Sequence, residues 1–227
     1  KKILKDPVEI KLAVSKPAEK IRQSSYICHE SQKMPILKKL FKENPPQRVI
    51  IFSGSKLKVK TLAREFRRMP FKVAEMHSDL EQTARDNVML DFKAGKTQVI
   101  IATDILSRGI DIDDIEMVIN YDVPRDPEDY IHRIGRTARA DRDGRAVTFV
   151  SPEEAFRLKR IEKLLEKEVP REDVPAEFGD APMLQSRESN RGGVRNHGRK
   201  DRGNSGKRRR SGRSRRRGPK ADESLKS

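Results

Sequence analysis

The sequence predicts an α/β fold, a parallel sheet with helices on both faces, followed by a disordered basic tail. Three observations carry this. Short apolar runs alternate with longer helical patterns between residues 24 and 168, the rhythm of strands joined by helical crossovers. Runs such as Val49-Ile-Ile-Phe52 and Val99-Ile-Ile-Ala102 hold no polar residue, as strands covered on both sides require. After Phe178 no aromatic residue remains in a stretch of Gly, Ser, Asn and Arg, a composition that cannot form a core.

Residues 1–23 mix charge with short apolar pieces up to the Pro17 break and read as an incoming linker. Ser24 to Cys28 is the first expected strand. Ser31 to Asn44 follows as a helix with Leu37, Leu40 and Phe41 on one face, closed by Pro45 and Pro46. The strand Val49–Phe52 leads through the Ser53-Gly54-Ser55 turn into a helix with Val59, Leu62, Ala63 and Phe66 at i, i+3, i+4 and i+7. Lys72 to His77 is a strand, and Glu81 to Ala94 a helix burying Val88, Met89 and Phe92 and ended by Gly95. Val99–Ala102 and Met117–Tyr121 are further strands, and Pro127 opens a helix. Asp143-Gly144 is a turn, Ala146–Val150 the last strand, and Pro152 to Glu168 a closing helix with Leu158, Ile161, Leu164 and Leu165 inward. The organisation expected is a linker over 1–23, one domain over 24–169 and a tail over 170–227.

Composition bounds the partners. The 227 residues are 34% hydrophobic and 38% charged, enough for one core but little more. The net charge of +16 favours an acidic partner, and nucleic acid is the commonest. From Gln185 onward, 16 Lys+Arg face 4 Asp+Glu, so the tail carries +12 and residues 1–184 only +4. With no aromatic platform, tail affinity for RNA or DNA would come from phosphate neutralisation and be salt-sensitive. Cys28 is the only cysteine, which excludes an internal disulfide or a multi-cysteine zinc site and suits a reducing, cytoplasmic setting. No apolar run is long enough to cross a membrane. The start, without initiator methionine or signal sequence, reads as that of a fragment.

Two features point to chemistry. Tyr130-Ile-His-Arg-Ile-Gly-Arg-Thr-Ala-Arg139 places Arg133, Arg136 and Arg139 at i, i+3 and i+6, along one side of a helix or its frayed end. Three planar, permanently charged donors aimed one way suit a polyanion, and the bland alternative is a solvated basic face. Separately, Ser53 to Ser55, His77 to Asp79 and Thr103 to Asp104 each follow a strand, on the rim where open α/β sheets collect ligands.

Four stretches in this order resemble the second RecA-like domain of a DEAD-box RNA helicase. Val49-Ile-Ile-Phe-Ser-Gly-Ser-Lys56 is similar to motif IV, Gln82-Thr-Ala-Arg85 to the QxxR motif, Ala102-Thr-Asp-Ile-Leu-Ser-Arg-Gly-Ile-Asp111 to motif V, and His132-Arg-Ile-Gly-Arg-Thr-Ala-Arg139 to motif VI. They span roughly residues 20–168. The linker and the arginine-rich tail resemble the bacterial RhlE-type subgroup. The resemblance implies a RecA-like, P-loop NTPase-type sheet, with ATP as cofactor and Mg2+ held by an N-terminal RecA-like domain. It implies RNA as a backbone-bound partner, through Gly54, Ser55, Arg85 and Thr103. Asp111 and Gly109 would then serve the ATP ribose side, while Arg139 is the arginine finger and Arg136 its companion, with His132 bonding across the same cleft. Residue by residue, Asp111 could instead cap a turn, Arg85 could pair with Glu81 at i, i+4, and Phe52 could be core or lie against the motif VI arginines.

Departures from the family pattern are Ala138, where Thr-Gly-Arg is common, and Ser78, where His-Gly-Asp is common. The latter puts a close phosphate approach at that turn in doubt. No Gly-x-x-x-x-Gly-Lys-Ser/Thr loop and no Asp-Glu-Ala-Asp box occurs, so this chain alone is not expected to hydrolyse ATP. The expectation is therefore the C-terminal half of an ATP-dependent RNA helicase. Its rivals are a non-enzymatic RNA-binding or annealing module acting through the tail, and a DNA helicase or remodeller with a related domain.

Overall fold

The computed structural model describes residues 20–104, 115–137 and 143–183. In chain order its elements are β1 (Ile21–Ile27), α1 (Glu30–Glu43), β2 (Val49–Phe52), α2 (Lys56–Phe66), β3 (Val73–Met76), α3 (Gln82–Lys93), β4 (Val99–Ala102), β5 (Met117–Asn120), α4 (Pro127–Ile134), β6 (Gly144–Val150), α5 (Ala155–Leu165) and β7 (Arg171–Glu172). The strands form one sheet in the order β3-β4-β2-β5-β6-β1-β7, and every pairing is parallel.

Both faces of the sheet are buried because the apolar strands alternate sides. Val49, Ile51, Val99, Ile101, Met117 and Ile119 pack with Ile36, Leu37, Phe41, Val59, Leu62 and Phe66 from α1 and α2. The opposite residues of the same strands, Ile50, Phe52, Ile100, Ala102 and Val118, meet Met89 and Phe92 of α3. Further along that face, Ile21, Ala146 and Val150 pack against Tyr130 and Ile134 of α4 and Leu158 and Ile161 of α5. Helix starts follow their caps. Ser55 accepts from the Lys58 amide at the head of α2, and Asp126 from the Glu128 amide at the head of α4 ahead of Pro127.

Three boundaries differ from expectation. β1 begins at Ile21, inside the expected linker, since Ile21 to Gln23 pair with Gly144 to Ala146. The closing helix opens as a 3-10 turn over Pro152–Glu154 and ends at Leu165, with Leu164 turned to solvent. Folded chain also continues past Val169. Arg171–Glu172 pairs with Ser25 and Tyr26, a 3-10 turn forms over Ala176–Phe178, and Val174 and Phe178 pack against the core. The Gln32 amide secures this strap by donating to the carbonyls of Phe178, Gly179 and Asp180. The basic tail beyond lies outside the described residues.

Chain connections leave β2 toward the β3 edge and leave β4 toward the β5 side, so the strand order reverses between these two neighbours. That reversal opens a crevice at their carboxyl ends.

Candidate functional site

Three turns meet at the ends of β2, β3 and β4. After β2, Ser53 is buried while Gly54 and Ser55 are exposed; after β4, Thr103 is half-buried. The Thr103 amide donates to the Met76 carbonyl at the end of β3, which brings the His77–Asp79 turn alongside. Arg85, in the first turn of α3, donates to the Ser78 carbonyl at 3.2 Å rather than pairing with Glu81. Asp79 bridges Lys56 and Lys60 of α2 at 2.9 and 3.1 Å, and these ammoniums hold its carboxyl below the usual carboxylate range. Serine at position 78 therefore leaves its turn tied on both sides, to α3 through its carbonyl and to α2 through its neighbour.

The arginine row separates. α4 ends at Ile134 with Gly135 as its cap, so Arg133 lies in the helix and Arg136 in the turn beyond. Arg133 is 1% exposed and faces the core, not a polyanion. Its Nε donates to Asp104 Oδ1 at 2.7 Å, and its Nη1 to Asn120 Oδ1 and the Asp122 carbonyl at 3.0 and 3.1 Å. Its guanidinium lies 5.0 Å from the Phe52 ring centroid. Phe52 is thus both a buried core residue and the stacking partner of a motif VI arginine. The reason is chemical: a fully buried guanidinium needs several acceptors and a flat apolar surface, and the ends of β2, β4 and β5 provide both. His132 remains exposed and Arg136 half-buried. Thr137, buried behind them, donates its hydroxyl to the Ile115 carbonyl. Gly109, Asp111 and Arg139 lie outside the described residues.

Sequence reasoning missed a buried cluster beneath the Ser53–Ser55 turn. Asp122, just past β5, accepts from Ser53 Oγ and the Gly54 amide through Oδ2, both at 2.7 Å. Through Oδ1 it accepts from Lys58 at 2.6 Å and Lys33 at 3.3 Å. Lys33, on α1, is completely buried and also bonds Glu30 and Glu154 at 2.8 and 3.1 Å. Burial pushes the Asp122 carboxyl up, but the Gly54 amide, Lys58, Lys33 and Ser53 together bring it down to about 2. Burial likewise opposes the charge on Lys33, and its three carboxylates outweigh that and raise its pKa. One signal was available: Lys33 occupies the apolar face of α1 three, four and seven residues before Ile36, Leu37 and Leu40. A lysine on that face needs buried partners.

Cys28 is no nucleophile here, since burial pushes its thiol up to about 11. Among the described residues no group of three His, Cys, Asp or Glu side chains is placed to hold a metal, and no helix is long and apolar enough to cross a membrane.

Comparison with known proteins adds family context. The family model described as helicase conserved C-terminal domain matches residues 32–141. The ATP-dependent RNA helicase FAL1 of Kluyveromyces lactis is 40% identical over 164 residues, 71% of this chain and 41% of that protein. The chain spans less than half the length of the curated relatives it matches. A solved C-terminal domain of the DEAD-box protein Dbp5 is 35% identical with TM-score 0.64, covering 68% of this chain and 91% of that one. S. cerevisiae Dbp5 bound to RNA and ADP BeF3 matches at 35% identity and TM-score 0.64, over 70% of this chain and 43% of that one.

Proposed function

This chain belongs to the DEAD-box RNA helicases, as their RecA-like C-terminal helicase domain, and we propose that in the complete enzyme it grips RNA backbone along the crevice and completes an ATP site through the end of α4. The observation that carries this is the adjacency of Thr103 and Asp104. Thr103 sits on the RNA rim, and Asp104 holds Arg133 of the helix that presents His132 and Arg136. The two ligands would therefore be served by neighbouring residues on one strand end.

The donors at the end of α4 suit a nucleoside triphosphate. An exposed imidazole and a half-buried guanidinium stand there, while Arg133 is committed to the fold. When bound, ATP supplies phosphoryl transfer to water. Arg136 and Arg139 are the donors we assign to the charge that develops on the γ-phosphate, Arg139 as the finger. Asp111 and Gly109 take the ribose side, and Mg2+ belongs with the N-terminal half. Since this chain has no phosphate loop or acidic box, it turns over ATP only with that partner domain.

On the RNA side, Ser55, Arg85 and Thr103 are the donors, and Gly54 contributes room for close approach because its amide is already taken by Asp122. Dbp5, a related structure, holds RNA. Contacts to backbone make binding tolerant of sequence. The family match lies over residues 32–141 rather than the tail, which disfavours an annealing module acting through the tail alone. We assign the chain to the RhlE-type subgroup on the arginine-rich composition of its tail, and the single buried cysteine supports a cytoplasmic setting.

The test separates the two halves of the site. In the complete enzyme Arg139→Ala lowers ATP turnover by roughly 10³- to 10⁵-fold with ATP binding nearly intact. Arg85→Ala instead raises the RNA concentration needed for half-maximal ATPase. Unchanged turnover in the Arg139 variant would remove the finger assignment.

A further inference from the structure

We infer that Asp122 is a positioning residue for the RNA-facing turn, holding Ser53-Gly54-Ser55 in the shape in which Ser55 and the first amides of α2 meet a phosphate. This rests on the RNA reading of that rim. One carboxylate oxygen takes both the Ser53 hydroxyl and the Gly54 amide at 2.7 Å, fixing two successive residues of the turn from below. A Cβ at position 54 would stand in ordinary van der Waals contact with Oδ2, at 3.5 Å. It is therefore the two hydrogen bonds and not the missing side chain that hold the turn against the carboxylate. Ser55 then falls at the head of α2, exposed, where its oxygen accepts the Lys58 amide and its hydroxyl keeps a hydrogen to donate. The amides of Lys56 and Leu57, the first two of the helix, have no helical carbonyl to bond and point the same way.

The support for Asp122 is larger than a serine turn needs for stability. Lys33 offers three N–H groups and meets three carboxylates, those of Glu30, Asp122 and Glu154. Glu154 in turn accepts from the amides of Val123 and Ser151, so the chain is held on the far side of Asp122 as well. Lys58 bridges Asp122 and Glu30 at 2.6 and 2.7 Å from the α2 side. Burying such a cluster is a poor source of stability, because apolar residues of the same volume often do as well. What it specifies is position: α1 and α2 reach the carboxylate that holds the turn through Lys33 and Lys58 on Oδ1, and the segment after β6 is tied to it through Lys33. It also places two ammonium groups on an anion that would otherwise stand beside an incoming phosphate.

This reading and a purely electrostatic one predict opposite signs. Removing a negative charge near an RNA phosphate would by itself tighten RNA binding. Loss of positioning weakens it. In the RNA-stimulated ATPase of the complete enzyme, Asp122→Asn is expected to raise the RNA KM roughly tenfold and to lower kcat by less. The two bonds to the turn lose their charge assistance, and the new NH2 must face either the turn donors or the ammoniums of Lys33 and Lys58. Ser53→Ala, which removes one of the two bonds without touching a charge, should raise the RNA KM in the same direction by less. An Asp122→Asn enzyme that is folded at the assay temperature and shows an equal or lower RNA KM would overturn the inference. If that variant does not fold, an unchanged RNA KM in Ser53→Ala overturns it instead. Arg85→Ala and Thr103→Val are assayed alongside. If they too leave RNA KM unchanged, the RNA reading of the rim fails; if they raise it while both turn variants do not, only the role of Asp122 fails.

Discussion

Arg133 and Asp104 form an ion pair that joins the end of α4 to the end of β4, with the guanidinium 1% exposed and the carboxylate side chain 47% exposed. The residue before Asp104, Thr103, lies at the crevice past β4, and the helix that carries Arg133 also carries His132 and leads to Arg136. Nη1 of Arg133 donates to Asn120 and the Asp122 carbonyl, so this buried arginine is spent on the fold and not presented to a ligand.

Arg133→Ala is accordingly expected to destabilise the domain by about 1–3 kcal/mol, chiefly from the buried Asn120 side chain and Asp122 carbonyl left without their donor, since the half-exposed Asp104 is rehydrated. Arg133→Lys should recover only part of this, because an ammonium cannot span Asp104 and Asn120 while lying flat on Phe52. Denaturant unfolding of the purified chain measures both. If Arg133 were a ligand residue, its removal would lower turnover and leave the unfolding midpoint in place.

The cluster under the turn predicts an acid-sensitive step. The Asp122 carboxyl titrates at about 2 in the folded chain against an ordinary 3.8. A carboxyl depressed on folding stabilises the fold above its unfolded value, and that contribution disappears as pH falls through the folded one. The expected loss is about 2 kcal/mol between roughly pH 4 and pH 2. Asp122→Asn should be less stable at neutral pH and show a shallower fall across that window, read from unfolding midpoints at several pH values. An equally steep fall in the variant would assign the acid step to other carboxylates.

The legible parts of the sequence were those in which one segment decides its own fate. Val49–Phe52 and Val99–Ala102 have no polar residue, so no arrangement other than a doubly covered strand accommodates them. The polarity break after each, at Ser53 and Thr103, marked the rim directly. The illegible parts depended on distant partners. Arg133 looked equivalent to Arg136 because a spacing of three fixes a side of the helix but not what lies opposite. Its acceptors come from Asp104, Asn120 and Asp122, on two other strand ends. Asp122 carried no signal of its own, as its role needs Lys33 from 89 residues earlier. β7 was invisible because Arg171–Glu172 is two charged residues whose strand character lies entirely in backbone pairing with β1.

The strap beyond Val169 yields the last prediction. Removing residues 184–227 and removing 170–227 should have different consequences, although both delete the basic tail. The first cut leaves Gln32 bonded to the carbonyls of Phe178, Gly179 and Asp180, and leaves Lys39 paired with Glu177. The second strips Val174 and Phe178 from the core, removes the Arg171–Glu162 pair and bares the outer edge of β1. Burial of one half-covered aromatic and one valine, with an edge pairing, is worth about 1–3 kcal/mol. For a domain of this size that is about 2–4 °C in Tm for each kcal/mol. The chain ending at residue 183 should therefore melt with the intact one and lose RNA affinity in a salt-dependent way, since 16 Lys+Arg lie from Gln185 onward. The chain ending at residue 169 should melt several degrees lower as well. Equal melting temperatures for the two truncations would show that the strap adds nothing to the fold. A loss of RNA-stimulated ATPase on cutting at 183 in the complete enzyme would instead move the principal RNA contact from the crevice to the tail.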